Sequence, residues 1–235
     1  MFSNGRIVAR AGVIVMSRVN LKNMLRYRRK WNWAGFEGSP ACVKWNFKDL
    51  ANLDVAIRLA RSRKVVVQAG GNLGLFPKRL AEEFKIVYTY EPDPILFAHL
   101  KANAPEKRIV AQQAALGCSR ESVRMSCCRR DGSGRPVHEG LTHVSGSGDI
   151  PQVMIDDLNL GECGLIYLDI EGYELNALRG AERTIRRCRP VLAFEVNSNI
   201  AHYQSSKQEL RDWVSQLGYK KKLRQSGDDI YVPVR

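Results

Sequence analysis

Three acids fall close together in "YLDIEGYELNALRG" (167 to 180): Asp169, Glu171 and Glu174, with Gly172 loosening the turn between them. Asp169 ends an apolar run, as a polar group does at the carboxyl end of a buried strand facing a ligand crevice. Carboxylates gathered there can take a proton from a substrate, raise one another's pKa, or bind a divalent cation. Helix capping is the plainer alternative, with Asp169 as N-cap and the two glutamates in the first turn. Capping accounts for one or two of the acids but not for three.

A second stretch, "VVVQAGGNLGLF" (65 to 76), breaks an apolar run with Gly70, Gly71 and, after Asn72 and Leu73, Gly74. Glycine admits positive φ, leaves room for a ligand at the first two positions, and lets a helix pack closely at the third. In "YEPDP" (90 to 94), Glu91 ends the next apolar run about twenty residues on, where an acid accepts the ribose hydroxyls of a nucleoside cofactor. The spacing G-G-N-L-G departs from the G-x-G-x-x-G of a pyrophosphate site. A cofactor without phosphates, S-adenosylmethionine, suits it better.

Elements to position these residues are visible along the chain. Strand-like runs at 64–69, 85–91, 108–116, 164–170 and 190–196 alternate with helical patterns at 75–84, 93–103, 174–188 and 206–218. This alternation predicts a parallel α/β sheet. Runs at 219–225 and 229–235 predict a closing hairpin. Upstream, 47–62 carries Leu50, Leu53, Ile57 and Ala60 on one side of a helix, predicted to cover a sheet edge or the cofactor mouth. Residues 127–149 lack periodicity and read as a long loop. The predicted division is a basic, partly helical N-terminal extension over 1–62 and a cofactor-binding domain over 63–235.

Composition narrows the function. Lys plus Arg number 37 against 24 Asp plus Glu, a formal charge of +13. That excess favours anionic partners such as nucleic acid, and the tryptophans of "KWNW" (30–33) beside "RYRRK" (26–30) add to that reading. Solvated charged faces are the simpler explanation. Six cysteines without a CxxC pair argue against a disulfide framework or a structural zinc site and for a reducing, cytoplasmic setting. No run is long and apolar enough to span a bilayer.

Seven strands ending in a hairpin resemble the class I methyltransferase plan: a Rossmann-like seven-stranded α/β sheet with an antiparallel last strand, here with a basic N-terminal helical extension. A dehydrogenase would carry a second mononucleotide half instead. Six elements in order over 64–218 resemble the FkbM-type S-adenosylmethionine-dependent methyltransferases: "VQAGGNLG" (67–74), "YEPDP" (90–94), "AALG" (114–117), "MIDDL" (154–158), "LDIEGYE" (168–174) and "RPVLAFEVN" (189–197).

The resemblance implies methyl transfer to an oxygen, most often a hydroxyl of a sugar or secondary metabolite. It puts Gly70, Gly71, Asn72 and Gly74 near the methionine part of the cofactor and Glu91, with Pro92, near the ribose. Ala114 and Ala115 would flank the adenine, and Asp169, Glu171 and Glu195 would border the acceptor. Asp169 is the candidate base, with Glu195 as alternative or orienting partner. Where the family turn has Asp, this chain has Gln68, which keeps an acceptor but loses the charge that helps hold the cofactor's ammonium.

His138 and His143 lie in the predicted loop. Two other functions remain open at this point. One is an RNA ribose 2'-O-methyltransferase with Lys44 or Lys48 starting a Lys-Asp-Lys-Glu tetrad, although Glu195 stands where its second Lys belongs. The other is a noncatalytic nucleic-acid-binding protein on the same scaffold.

Overall fold

Val65–Ala69 (β1) is a run of β-branched and apolar residues, buried from Val66 onward, as a strand covered on both faces requires. It pairs in parallel with Ile86–Tyr90 (β2) on one side and Leu165–Leu168 (β8) on the other. The computed structural model describes residues 40–127, 142–225 and 227–234, all within the unit Glu37–Arg235.

Around β1 the sheet has seven strands in the order β10-β11-β9-β8-β1-β2-β3. The remaining members are Ile109–Gln112 (β3), Val191–Glu195 (β9), Tyr219–Gln225 (β10) and Asp228–Pro233 (β11). β11 runs antiparallel to both β9 and β10. The order reverses between β1 and β8, so the carboxyl ends of these two strands open the crevice where such sheets bind ligands.

Helices cover both faces. Pro40–Leu59 (α1) buries Leu50, Leu53 and Ile57. Leu75–Ala81 (α2) shares its face of the sheet, with Phe76 edge-on to Tyr167. Pro94–Asn103 (α3) starts from an Asp93 cap whose Oδ1 accepts the N–H groups of Ile95 and Leu96. On the opposite face, Glu174–Arg179 (α4), Glu182–Cys188 (α5) and Lys207–Gln216 (α6) bury Leu175, Leu178, Ile185, Leu210 and Val214 against Val67, Ile166, Leu168 and Phe194.

Four expectations are corrected. The run 108–116 is not one strand: after β3 the chain leaves the main sheet, and Ala115–Leu116 (β4) pairs with Gln152–Val153 (β7). The helix expected over 174–188 breaks at Gly180, where a Cβ would lie 1.9 Å from the carbonyl oxygen of Gly117. The segment read as a loop contains Thr142–Ser147 (β6), antiparallel to Val123–Cys127 (β5). Finally, α1 begins before residue 47 and lies against the sheet face rather than along its edge.

Candidate active site

What approaches the glycine turn is the protein itself. Gly70 has φ +81°, and a Cβ there would lie 2.0 Å from the carbonyl oxygen of Asp169. The backbone N–H groups of Gly70 and Gly71 both donate to the carbonyl of Tyr90, at 3.1 and 3.0 Å, while Asp169 N donates to Ala69 O at 3.2 Å. Gly71 and Gly74 lie against Leu100 of α3. The turn thus joins β1 to both neighbouring strands.

Gln68 is fully buried beneath it. Its Nε2 donates to the carbonyls of Ala69 and Gly70, both at 2.9 Å, and its Oε1 accepts from the Thr89 hydroxyl. The amide therefore braces the turn, a task an acceptor-only carboxylate could not perform.

Glu91 leaves β2 pointing back at the turn. One carboxylate oxygen accepts from Asn72 N at 2.7 Å and the other from Asp93 N at 3.0 Å. Burial pushes its pKa up to about 7 against the opposing effect of these two donors. A carboxylate has about four lone-pair sites, so acceptor capacity for hydroxyl groups remains. Pro92 follows it, partly exposed. Ala114 and Ala115, just beyond β3, are buried.

The acids meet at the ends of β8 and β9. Oxygens of Asp169, Glu171 and Glu195 lie within 4.8 Å of one another, close enough to ligate one cation. Asn197 Nδ2 bridges Glu195 Oε2 (2.6 Å) and Glu171 Oε2 (3.1 Å), and Asn199 Nδ2 donates to that same Glu171 oxygen at 2.8 Å. Among the described residues, no group donates to the Asp169 carboxylate. Burial, then the neighbouring Glu195, hold its pKa well above the usual carboxylate range. Burial and the surrounding acids raise Glu195 to about 8.

A structural role belongs to a different acid. Glu174 Oε1 accepts from Ile170 N (3.0 Å) and Gly172 N (3.3 Å), bracing the loop before α4. Asp169 caps nothing: α4 starts only at Glu174, with no side-chain cap.

Sequence reading missed a network behind the cluster. Asp228 pairs with Glu195 across β11 and β9, and its Oδ2 accepts from Tyr167 Oη (2.8 Å) and Asn52 Nδ2 (3.0 Å). The available signal was Asn52 itself, a polar residue beside the apolar side of a helix. The Asn197 and Asn199 contacts were missed as well. His143 stacks on His202, ring centroids 5.2 Å apart, in the 3-10 turn Asn199–Tyr203. His138 and the side chains of Lys44 and Lys48 lie outside the described residues, as do "RYRRK" and "KWNW".

A glycine turn after the first strand, an acid ending the second, an acid ending the fourth of the parallel strands and a last strand inserted antiparallel together define a class I methyltransferase fold. The chain belongs to the FkbM methyltransferase domain family, whose model matches residues 64–221. Membership implies S-adenosylmethionine as cofactor.

Among solved structures, the chain is similar to methyltransferase FkbM from Methylobacillus flagellatus KT, with 17% identity and a TM-score of 0.49 over 91% of this chain and 59% of that one. It is also similar to a TehB-like SAM-dependent methyltransferase from Corynebacterium glutamicum ATCC 13032 Kitasato (16% identity, TM-score 0.41, 84% and 100% covered). A third is the ribosomal protein L11 methylase from Lactobacillus delbrueckii subsp. bulgaricus (8% identity, TM-score 0.47, 81% and 80% covered). The chain thus spans 59% of the length of the first of these. No curated protein matches. Among the described residues, no helix is long and apolar enough to cross a membrane.

Proposed function

We propose that the protein is an S-adenosylmethionine-dependent O-methyltransferase acting on a hydroxyl of a small or glycosidic acceptor. The observation that carries this reading is the Asp169 carboxylate: unclaimed by any donor among the described residues, one strand from the glycine turn, and beside two further acids.

The residues fit the cofactor at the ribose end, where the buried Glu91 retains acceptor capacity beside the turn. The backbone of Gly70, Gly71, Asn72 and Gly74 would face the methionine part, Pro92 the ribose, and Ala114 and Ala115 the adenine. Gln68, a neutral amide, supplies no charge toward the ammonium, and its Nε2 is committed to the turn. When bound, S-adenosylmethionine supplies an activated methyl group.

The protein's remaining tasks are alignment and proton removal. Asp169 takes the proton of the acceptor hydroxyl, and burial beside Glu195 makes it a stronger proton acceptor than an ordinary carboxylate. Glu195 and Glu171, held by Asn197 and Asn199, orient the acceptor. A divalent cation bound by the three acids is the second reading, supported by their 4.8 Å spacing.

Transfer of tritiated methyl from S-adenosylmethionine would be followed into a glycan and metabolite extract and into total RNA. Label in the extract, lost with Asp169→Asn, supports the proposal. Label confined to RNA would replace the acceptor class with ribose hydroxyls. Failure to bind the cofactor, together with salt-sensitive RNA binding, would leave only a scaffold.

A further inference from the structure

A second concavity lies at the other end of the strands. Arg61, Arg189, Lys220 and Lys222 line a cavity of about 520 Å³ whose apolar part includes Val191 and Val232. Strand β9 spans the distance between the two regions. Val191 begins it at this cavity and Glu195 ends it at the acid cluster, about 13 Å away at strand rise.

Among the described residues, the charges around this cavity are uncompensated, and its lining contains no carboxylate. On β10, Lys221 and Arg224 reach Asp229 at 3.5 and 3.6 Å, but Lys220 and Lys222 reach no acid. Arg189 is held by carbonyls, Leu217 O at 2.6 Å and Gly218 O at 2.8 Å, and lies 4.7 Å from the Tyr219 ring. These contacts fix its position without neutralising it. Among the described residues, none of the four cations pairs with a carboxylate.

A hollow lined by one sign of charge focuses its field and attracts a counter-charge. Lysines bind phosphate as point charges, while arginine offers a fork of donors. The volume is that of a small-molecule site rather than an extended groove. Among the described residues no aromatic lines it, so they offer no stacking surface of the kind by which single-stranded nucleic acid is held.

We propose that this cavity binds a compact phosphate-bearing anion, its charge on Arg61, Lys220 and Lys222 and its apolar part against Val191 and Val232. The site is separate from the acids at the carboxyl ends of the strands and does not depend on the methyl-transfer reading.

Calorimetric titration of the full chain with inorganic pyrophosphate and with ATP tests it. The expected result is saturable binding that weakens more than about tenfold in the double variant Lys220→Glu, Lys222→Glu, as loss of charge-assisted hydrogen bonds predicts. Both lysines are exposed, so the fold should persist, checked by an unchanged thermal midpoint and unchanged S-adenosylhomocysteine binding. The control Lys85→Glu, Lys107→Glu changes net charge equally at exposed positions outside the lining. Equal loss in both variants would reduce the effect to overall charge and overturn the site. Binding to vesicles containing phosphatidylinositol phosphate in phosphatidylcholine, if lost with the Lys220 and Lys222 changes, would support the same phosphate chemistry from a lipid headgroup. No response to pyrophosphate, ATP or those vesicles, or RNA binding that pyrophosphate does not displace, would refute it.

Discussion

The carbonyl oxygen of Asp169 occupies the place where a side chain at position 70 would begin, 2.0 Å from a Cβ built on Gly70. The turn after β1 and the acid after β8 are therefore one mechanical unit. Gly70→Ala would combine a left-handed backbone strain with a backbone clash. It should destabilise the protein by about 2–4 kcal/mol, read as a lowered urea midpoint at constant slope. A midpoint like that of the parent would mean the junction is looser than described.

Glu91→Ala should weaken S-adenosylhomocysteine binding about tenfold or more, since a charged acceptor of hydrogen bonds is lost. Because burial places the Glu91 pKa at about 7, the carboxylate ionises as pH rises through neutrality. Affinity in the parent should therefore increase across that range, and this increase should vanish in Glu91→Ala. Calorimetry on both proteins, below and above neutrality, checks both points.

Asp169→Asn and Glu174→Gln should separate catalysis from architecture. The first removes a base that no described group hydrogen-bonds, so cofactor affinity should stay within about twofold while turnover falls about 10² to 10⁴. The second retains an acceptor for Ile170 N and Gly172 N, so turnover should largely persist. Equal loss of binding and turnover in Asp169→Asn would recast that residue as structural.

Glu174 also sets a pH dependence of stability. Burial raises its pKa to about 7 in the folded protein from 4.5, so the folded state holds the extra proton between these values. Stability from this group is present at the acid end of that window and is lost as pH rises through it, up to about 3 kcal/mol. Glu174→Gln should flatten the corresponding part of a plot of unfolding free energy against pH. An unaltered slope would assign it to Glu91, Asp169 and Glu195.

Gln68→Asp, which restores the family's residue, should lower stability by about 1–3 kcal/mol, because the Ala69 and Gly70 carbonyls lose their amide donor. A stabilised variant would show that the amide does not brace the turn. The sequence showed Gln68 only as a missing charge, since a side chain's hydrogen bonds to its own turn leave no periodic trace.

What could be read in advance was the part that repeats or concentrates locally. Buried strands such as β1 and β9 announce themselves by apolar runs, and the order of glycine turn, Glu91 and Asp169 carried the resemblance. The break at Gly180 was hidden because the Gly117 carbonyl that packs against it, leaving no room for a side chain, lies far away in the chain. The pairing of β5 with β6 was hidden because a polar, glycine-bearing strand lacks the alternation that marks a buried one. Asn52 and Asp228, 176 positions apart, meet only once the sheet has formed.

That last contact decides where the molecule can safely be cut. Both its residues fall outside 64–221, the stretch held in common with the family, yet Asp228 pairs with Glu195 and the Asn52 amide holds it. A fragment trimmed to the shared stretch would keep every signature of the turn and the acids while discarding the strand and the helix that back them.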